Sequence, residues 1–192
     1  RETCPAEGCG ADPSADDGVR FFREMILAAR SLNRLRNAKL AWTQGRLRFW
    51  KTLGLSRHAR IAASPDTQRV TRITSTSPRS RVFVEQECPA RGHRHFRVEA
   101  TVRCDLSAPA EDGGGVLCVQ ALDARGRVLD ERVTAPIRRS SAGVCLRAYY
   151  ETPKETSRLR IRVGIDGAVG SLELLDVSLL SIIEPEWRSH PL

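Results

Sequence analysis

The feature that most constrains this chain is an alternation of apolar and polar residues in runs too short for helices, each run closed by turn residues. Phe96, Val98, Ala100 and Val102 alternate with Arg97, Glu99, Thr101 and Arg103, and Leu159, Ile161, Val163 and Ile165 alternate with Arg158, Arg160 and Arg162. Successive side chains of a strand point to opposite faces, so such a run buries one face and leaves the other to water. Residues 82–86, 117–121, 144–148 and 172–180 read as further strands, the last interrupted by Asp176. Residues 123–126 read as a turn before Val128, and the glycine-rich run 112–115 reads as a linker between strands. Seven or eight strands after Gly54, with no long helix among them, predict an all-β fold: a two-sheet antiparallel β-sandwich, with a closed barrel as the alternative. Trp50, Phe96, Val98, Leu146, Ile161 and Val177 are expected in its core.

The first part of the chain obeys a different rule. Residues 1–15 are rich in Pro, Gly and small polar residues and read as a tether. Phe21, Phe22, Met25, Ile26, Ala29, Leu32 and Leu35 then recur at three- and four-residue intervals after Asp16 and Asp17, which predicts a short N-terminal amphipathic helix over residues 17–34. The expected organisation is a tether and helix over 1–34, a sandwich over 35–183 and a tail over 184–192. A helix of that length is marginal in water unless its apolar stripe is covered. It is expected to dock on its own domain, on a neighbouring domain or subunit, or at a membrane surface. The chain opens on Arg1 with no apolar signal before it, so we expect a start after a processing site or inside a longer polypeptide.

Composition narrows the partners. No stretch approaches the ~20 apolar residues that cross a bilayer, so the chain is not expected to span a membrane. Its 31 Lys and Arg against 23 Asp and Glu give a net charge of +8, nearly all of it from arginine. Guanidinium groups suit carboxylate, sulfate and phosphate, which points to an acidic glycan or an acidic protein surface. Charges this dispersed argue against a nucleic-acid interface. Six cysteines permit disulfides and favour a periplasmic, extracellular or cell-surface location. Cys4 and Cys9 could form a local disulfide or half a zinc site, but no second pair stands at zinc-finger spacing.

The order of motifs resembles jelly-roll carbohydrate-binding modules of the galactose-binding-like type. NRLRNAKLAWTQGRLRFW (residues 33–50) is similar to the opening segment of that family, with Asn37, Leu40, Gly45 and Trp50 at matching positions. VFVEQECPARGHRHF (82–96), the LDARG turn (122–126), the aromatic-x-x-Pro at 150–153 and the closing segment 167–179 follow in the family's order. The resemblance covers about 150 residues and implies a jelly-roll β-sandwich that binds a glycan without catalysis. Many members hold a structural calcium ion between the opening loop and the closing strand. Here only Asp176 stands at a matching acidic position, with Lys39 and Ala41 where acidic residues are frequent. Asp176 is therefore the single metal-ligand candidate, and no other cofactor is expected.

No nucleophile-base pair, metal-protease motif or phosphate loop appears, so no enzyme activity is expected. His93 and His95 stand two apart, a spacing that could put both on one side of a strand, but no third ligand is near in sequence. For glycan binding, Tyr149 and Trp42 are the aromatic candidates, and Arg147, Arg160 and Arg162 point away from the core on their strands. If these gather on one sheet they form a basic ligand face whose binding weakens with salt. The alternative function is a structural or interaction subunit of a larger multi-protein assembly, with no sugar ligand.

Overall fold

The period-two runs fold as strands, and every ladder between them is antiparallel. A computed structural model describes residues 33–107 and 113–182. In chain order the strands of these residues are β1 (Trp42–Thr43), β2 (Arg46–Leu47), β3 (Lys51–Leu53), β4 (Ala59–Ser64), β5 (Thr67–Ser75) and β6 (Arg81–Pro89). They continue as β7 (His95–Ser107), β8 (Gly114–Leu122), β9 (Val128–Val133), β10 (Ser141–Glu151), β11 (Arg158–Asp166) and β12 (Val169–Ile182). β1 and β2 form a small hairpin; the others form two five-stranded sheets, sheet I in the order β10-β7-β12-β5-β4 and sheet II in the order β3-β6-β11-β8-β9. From β5 onward the chain crosses between the sheets at each connection except the β8–β9 hairpin, which stays in sheet II, and this gives the jelly-roll sandwich.

The core lies between the sheets. Phe96, Val98, Ala100 and Val102 of β7 and Leu172, Leu174, Val177 and Leu179 of β12 pack into one cluster with Val82 and Val84 of β6 and Leu159, Ile161, Val163 and Ile165 of β11. All six residues expected in the core are buried there. The register of β12 against β7 shifts between Leu174 and Asp176, so the aspartate that interrupts the apolar run marks a bulge.

The strands outnumber the expected seven or eight because β4 and β5 carry a faint signal: over residues 70–75 of β5 the buried positions are Thr71, Ile73 and Ser75, two of them polar. The run 112–115 is not simply a linker. β8 starts at Gly114, Gly115 pairs with Ile165, and a side chain at 115 would meet Leu172 Cδ1 at 2.6 Å, which calls for glycine there. The helix expected over residues 17–34 lies outside the described residues except for Asn33 and Arg34. Those two are not helical: the Arg34 amide donates to the Leu179 carbonyl at 3.1 Å, and the Asn33 side chain bridges Val177 and Leu179 of β12. Cys88, Cys104, Cys118 and Cys145 are free thiols, so no disulfide forms among the described cysteines.

Amides hold the opening loop on the sandwich. Asn37 takes a left-handed backbone (φ 50°), and its side chain closes the loop through the carbonyls of Ala41 and Arg48 and the amide of Ala41. Its own carbonyl accepts from the Trp50 indole at 3.1 Å. Gln86, buried in β6, accepts from the Arg36 amide at 2.7 Å and donates to the carbonyls of Arg36 and Phe49. Trp50 therefore joins the apolar core to this network, and its side chain is only 5% exposed. Trp50→Ala is expected to lower stability by about 3–5 kcal/mol in urea titration. A loss under about 1 kcal/mol would mean the ring contributes little to the core.

Candidate functional site

The outer face of sheet II carries the most organised polar surface of the described residues. β11 runs between β6 and β8, and its outward side chains are Arg158, Arg160 and Arg162, followed by Gly164. The register sets Arg162 between Glu85 and Cys118, Arg160 between Glu87 and Gln120, and Gly164 between Phe83 and Val116. Lys51 and Leu53 of β3 extend two of these rows on one side, and Glu131 of β9 extends one on the other.

The charged groups satisfy one another across the strands. Arg160 donates from Nε and Nη2 to Glu87 Oε1 at 3.0 and 2.7 Å and from Nη1 to Gln120 Oε1 at 3.2 Å. Arg158 reaches Glu87 Oε2 at 2.9 Å, and Arg162 reaches Glu85 Oε2 at 2.7 Å. Gln120 passes the chain on by donating to the Glu131 carboxylate. The Glu85 side chain is only 6% exposed and that of Arg160 20%, so water screens these pairs poorly and their geometry is held. Burial pushes the Glu87 carboxyl up, but Arg160, by hydrogen bond and by charge, and then Arg158 hold it below the ordinary glutamate range. Burial, with the Glu131 carboxylate nearby, pushes the Cys118 thiol up to about 12.

One end of this face is apolar. Leu53, Phe83 and Val116 share a row with Gly164. A Cβ at position 164 would lie 2.7 Å from Phe83 Cδ1 and 2.0 Å from the Val82 carbonyl, so the half-buried phenylalanine occupies the space over a residue that has to be glycine. The sequence reading passed over Phe83 and Glu85 as parts of an ordinary strand over 82–86 and left Glu87 outside it. The signal that could have found them is their two-residue spacing, which matches that of Arg158, Arg160 and Arg162.

The expected ligand residues do not form one surface. Arg160 and Arg162 lie on the outer face of sheet II, whereas Arg147 and Tyr149 of β10 lie on the outer face of sheet I. The reason is topological: β10 and β11 are consecutive in sequence but belong to opposite sheets. On sheet I Glu99 takes both Arg147 and Arg97 as partners. Trp42 joins neither row, for it is half-buried and its indole donates to Thr71 Oγ1 of β5 at 2.9 Å. His93 sits in a left-handed turn (φ 52°) ahead of β7, which His95 begins, so the two histidines are not a strand pair.

Asp176 sits at the β12 bulge. Burial, with a smaller push from the Glu99 carboxylate, holds its carboxyl above the ordinary aspartate range against the pull of the Lys39 ammonium and the Val177 amide. Its charged neighbours are Lys39 and Glu99, and Glu99 is engaged by Arg97 and Arg147, so the donor set does not fit a calcium ion, which gathers several oxygen ligands and negative charge. Among the described residues, no three or more His, Cys, Asp or Glu side chains gather as a metal site. No helix among them is long and apolar enough to cross a membrane.

No protein-family profile matches the sequence, and no curated protein matches it. Solved structures do. The enzymatically active domain of tailspike protein 4 from bacteriophage CBA120 superposes with a TM-score of 0.60 at 12% identity, over 79% of this chain and 22% of that one. A CBM4 carbohydrate-binding module superposes with a TM-score of 0.53 at 11% identity, over 77% of this chain and 99% of the module. The CBM22-1 xylan-binding domain of Paenibacillus barcinonensis Xyn10C gives a TM-score of 0.52 at 11% identity, over 72% and 89% of the two chains. Nearly whole modules are thus matched, whereas the tailspike is matched over about a fifth of its length. The described residues fold as a jelly-roll β-sandwich, the fold these modules share.

Proposed function

We propose that this chain is a non-catalytic module that binds a glycan on the outer face of sheet II. The observation that carries this reading is the join of an aromatic ring to a fixed polar row: Phe83 over Gly164, then Arg162 and Arg160 with their carboxylate and amide partners. Sugars offer an apolar ring face and a rim of hydroxyls, which call for an aromatic platform beside donors and acceptors held in place. The fold supports the reading, since the modules it superposes on include one described as xylan-binding. An extracytoplasmic location accords with a glycan ligand.

Catalysis is not what this face is built for. A glycosidase needs one carboxyl raised so that it can donate a proton at neutral pH, beside a second that is ionised. Glu87 is shifted the opposite way, both its oxygens are engaged by arginines, and the Cys118 thiol is held protonated by burial. Arg158, Arg160 and Arg162 are likewise engaged by Glu85 and Glu87, so the face offers hydroxyl-binding groups more than net positive charge. Arg147 and Tyr149 would serve a different surface. A second reading, an interaction subunit without a sugar ligand, is favoured by edge strand β9, which leaves Val128, Leu129 and Val133 exposed.

Affinity electrophoresis in gels containing soluble neutral and acidic polysaccharides tests the proposal. The chain should be retarded by at least one of them, and Phe83→Ala should weaken that retention about five- to thirtyfold, the equivalent of 1–2 kcal/mol of lost stacking, with little change in unfolding midpoint. No retardation in any gel would favour the interaction-subunit reading.

Acid stability checks the charge network. A carboxyl held below its unfolded value stabilises the fold above the ordinary glutamate pKa of about 4.3 and loses that contribution as pH falls through its folded value. Urea midpoints should therefore drop as pH falls below about 4.3, and Glu87→Gln should flatten that drop. Equal slopes for the two proteins would show that Glu87 is not held ionised by Arg160.

A further inference from the structure

At one end of the sandwich, apart from the sheet face, an open cavity of about 530 Å³ is lined by Arg34, Pro89, Ala90, Arg91, Arg94 and Ser181. Three of those six residues are arginines, and none of the three has a carboxylate partner among the described residues. Arg147, Arg158, Arg160 and Arg162 of the two outer sheet faces are by contrast engaged by Glu85, Glu87 and Glu99.

The cavity is built on clamped backbone. Thr152, 1% exposed, donates its hydroxyl to the Arg91 carbonyl at 2.7 Å and accepts from the Arg94 amide at 3.0 Å, while its carbonyl takes the His93 amide at 3.0 Å. Gly92 lets the turn close on the next loop, because a Cβ there would lie 2.1 Å from the Lys154 carbonyl. Across the cavity, Arg34 is tied by its amide to Leu179, by Nη1 to the Pro89 carbonyl at 3.4 Å, and by its guanidinium over the Phe96 ring at 5.5 Å. Backbone fixed on both sides reduces the ordering cost of converging several guanidinium groups on one anion.

We propose that this cavity binds the anionic group of a sugar-sized molecule, a carboxylate, sulfate or phosphate, through Arg34, Arg91 and Arg94. A volume of about 530 Å³ falls in the range of small-molecule sites and exceeds what an inorganic ion fills. The inference deepens the glycan reading and rests on it for the sugar part of the ligand: the sheet face grips hydroxyls and the end cavity supplies the counter-charge that an acidic unit needs.

The test is titration of the full chain with glucuronate, a sulfated monosaccharide, inorganic sulfate, inorganic phosphate and glucose, followed by NMR of the arginine Nε–H signals. The anionic sugars should shift the Arg34, Arg91 and Arg94 signals while glucose does not, and added salt should weaken the effect. The double variant R91Q/R94Q should weaken binding about tenfold or more, as expected for lost charge-assisted bonds. Thr152→Val, which removes the clamp and keeps the arginines, should weaken binding of the anionic sugars and leave glucose without effect.

Equal binding of glucuronate and glucose, or undiminished binding by R91Q/R94Q, would overturn the proposal. Inorganic sulfate or phosphate binding as tightly as the anionic sugars would overturn its sugar part. Retention on neutral polysaccharide with no anion response would overturn this inference and leave the sheet-face reading standing; an anion response without any polysaccharide retention would do the reverse.

Discussion

The inward side chains of β7 and β12 can leave water only by meeting those of β6, β11 and β8, and that single packing contact sets most of what the molecule presents outside. Because the side-chain period is two, burying Leu159, Ile161, Val163 and Ile165 forces Arg158, Arg160 and Arg162 to the other face. A slip of one residue would put arginines into the core, so the apolar faces lock the ladder register. The register in turn brings Glu85, Glu87 and Gln120 opposite the arginines.

A charge row built this way is costly to desolvate unless each member has partners, and here the partners come from three neighbouring strands. Arg160 bonds to Glu87 and Gln120, and Gln120 to Glu131. The row is better understood as a device for holding donors and acceptors in position than as a source of net stability. The arginines around the end cavity are under no such constraint. They sit on turns and the opening loop, where the ladders assign them no opposite residue.

Much of the fold could be read before the structure. The alternation at 96–102 and 159–165 marked two strands, Asp176 stood out as a break in the last apolar run, and the opening segment with Asn37 and Trp50 resembled the jelly-roll modules on which the fold superposes. β4 and β5 escaped because Thr71 and Ser75 fill core positions that a hydrophobic pattern does not mark. Gly115 looked like a linker because the closeness of Leu172, the reason for a glycine there, is a long-range contact.

Sequence alone thus determined which side chains face inward and which outward, since alternation is a local property of an extended backbone. It could not determine which outward residues are neighbours, because that depends on which strands pair and in which sheet they lie. Arg147 and Arg160 stand 13 positions apart, on consecutive strands, and lie on opposite outer faces. Arg160 and Glu87 stand 73 positions apart and share a hydrogen bond at 2.7 Å. The candidate site is made of pairs of the second kind, and only the tertiary structure decides them.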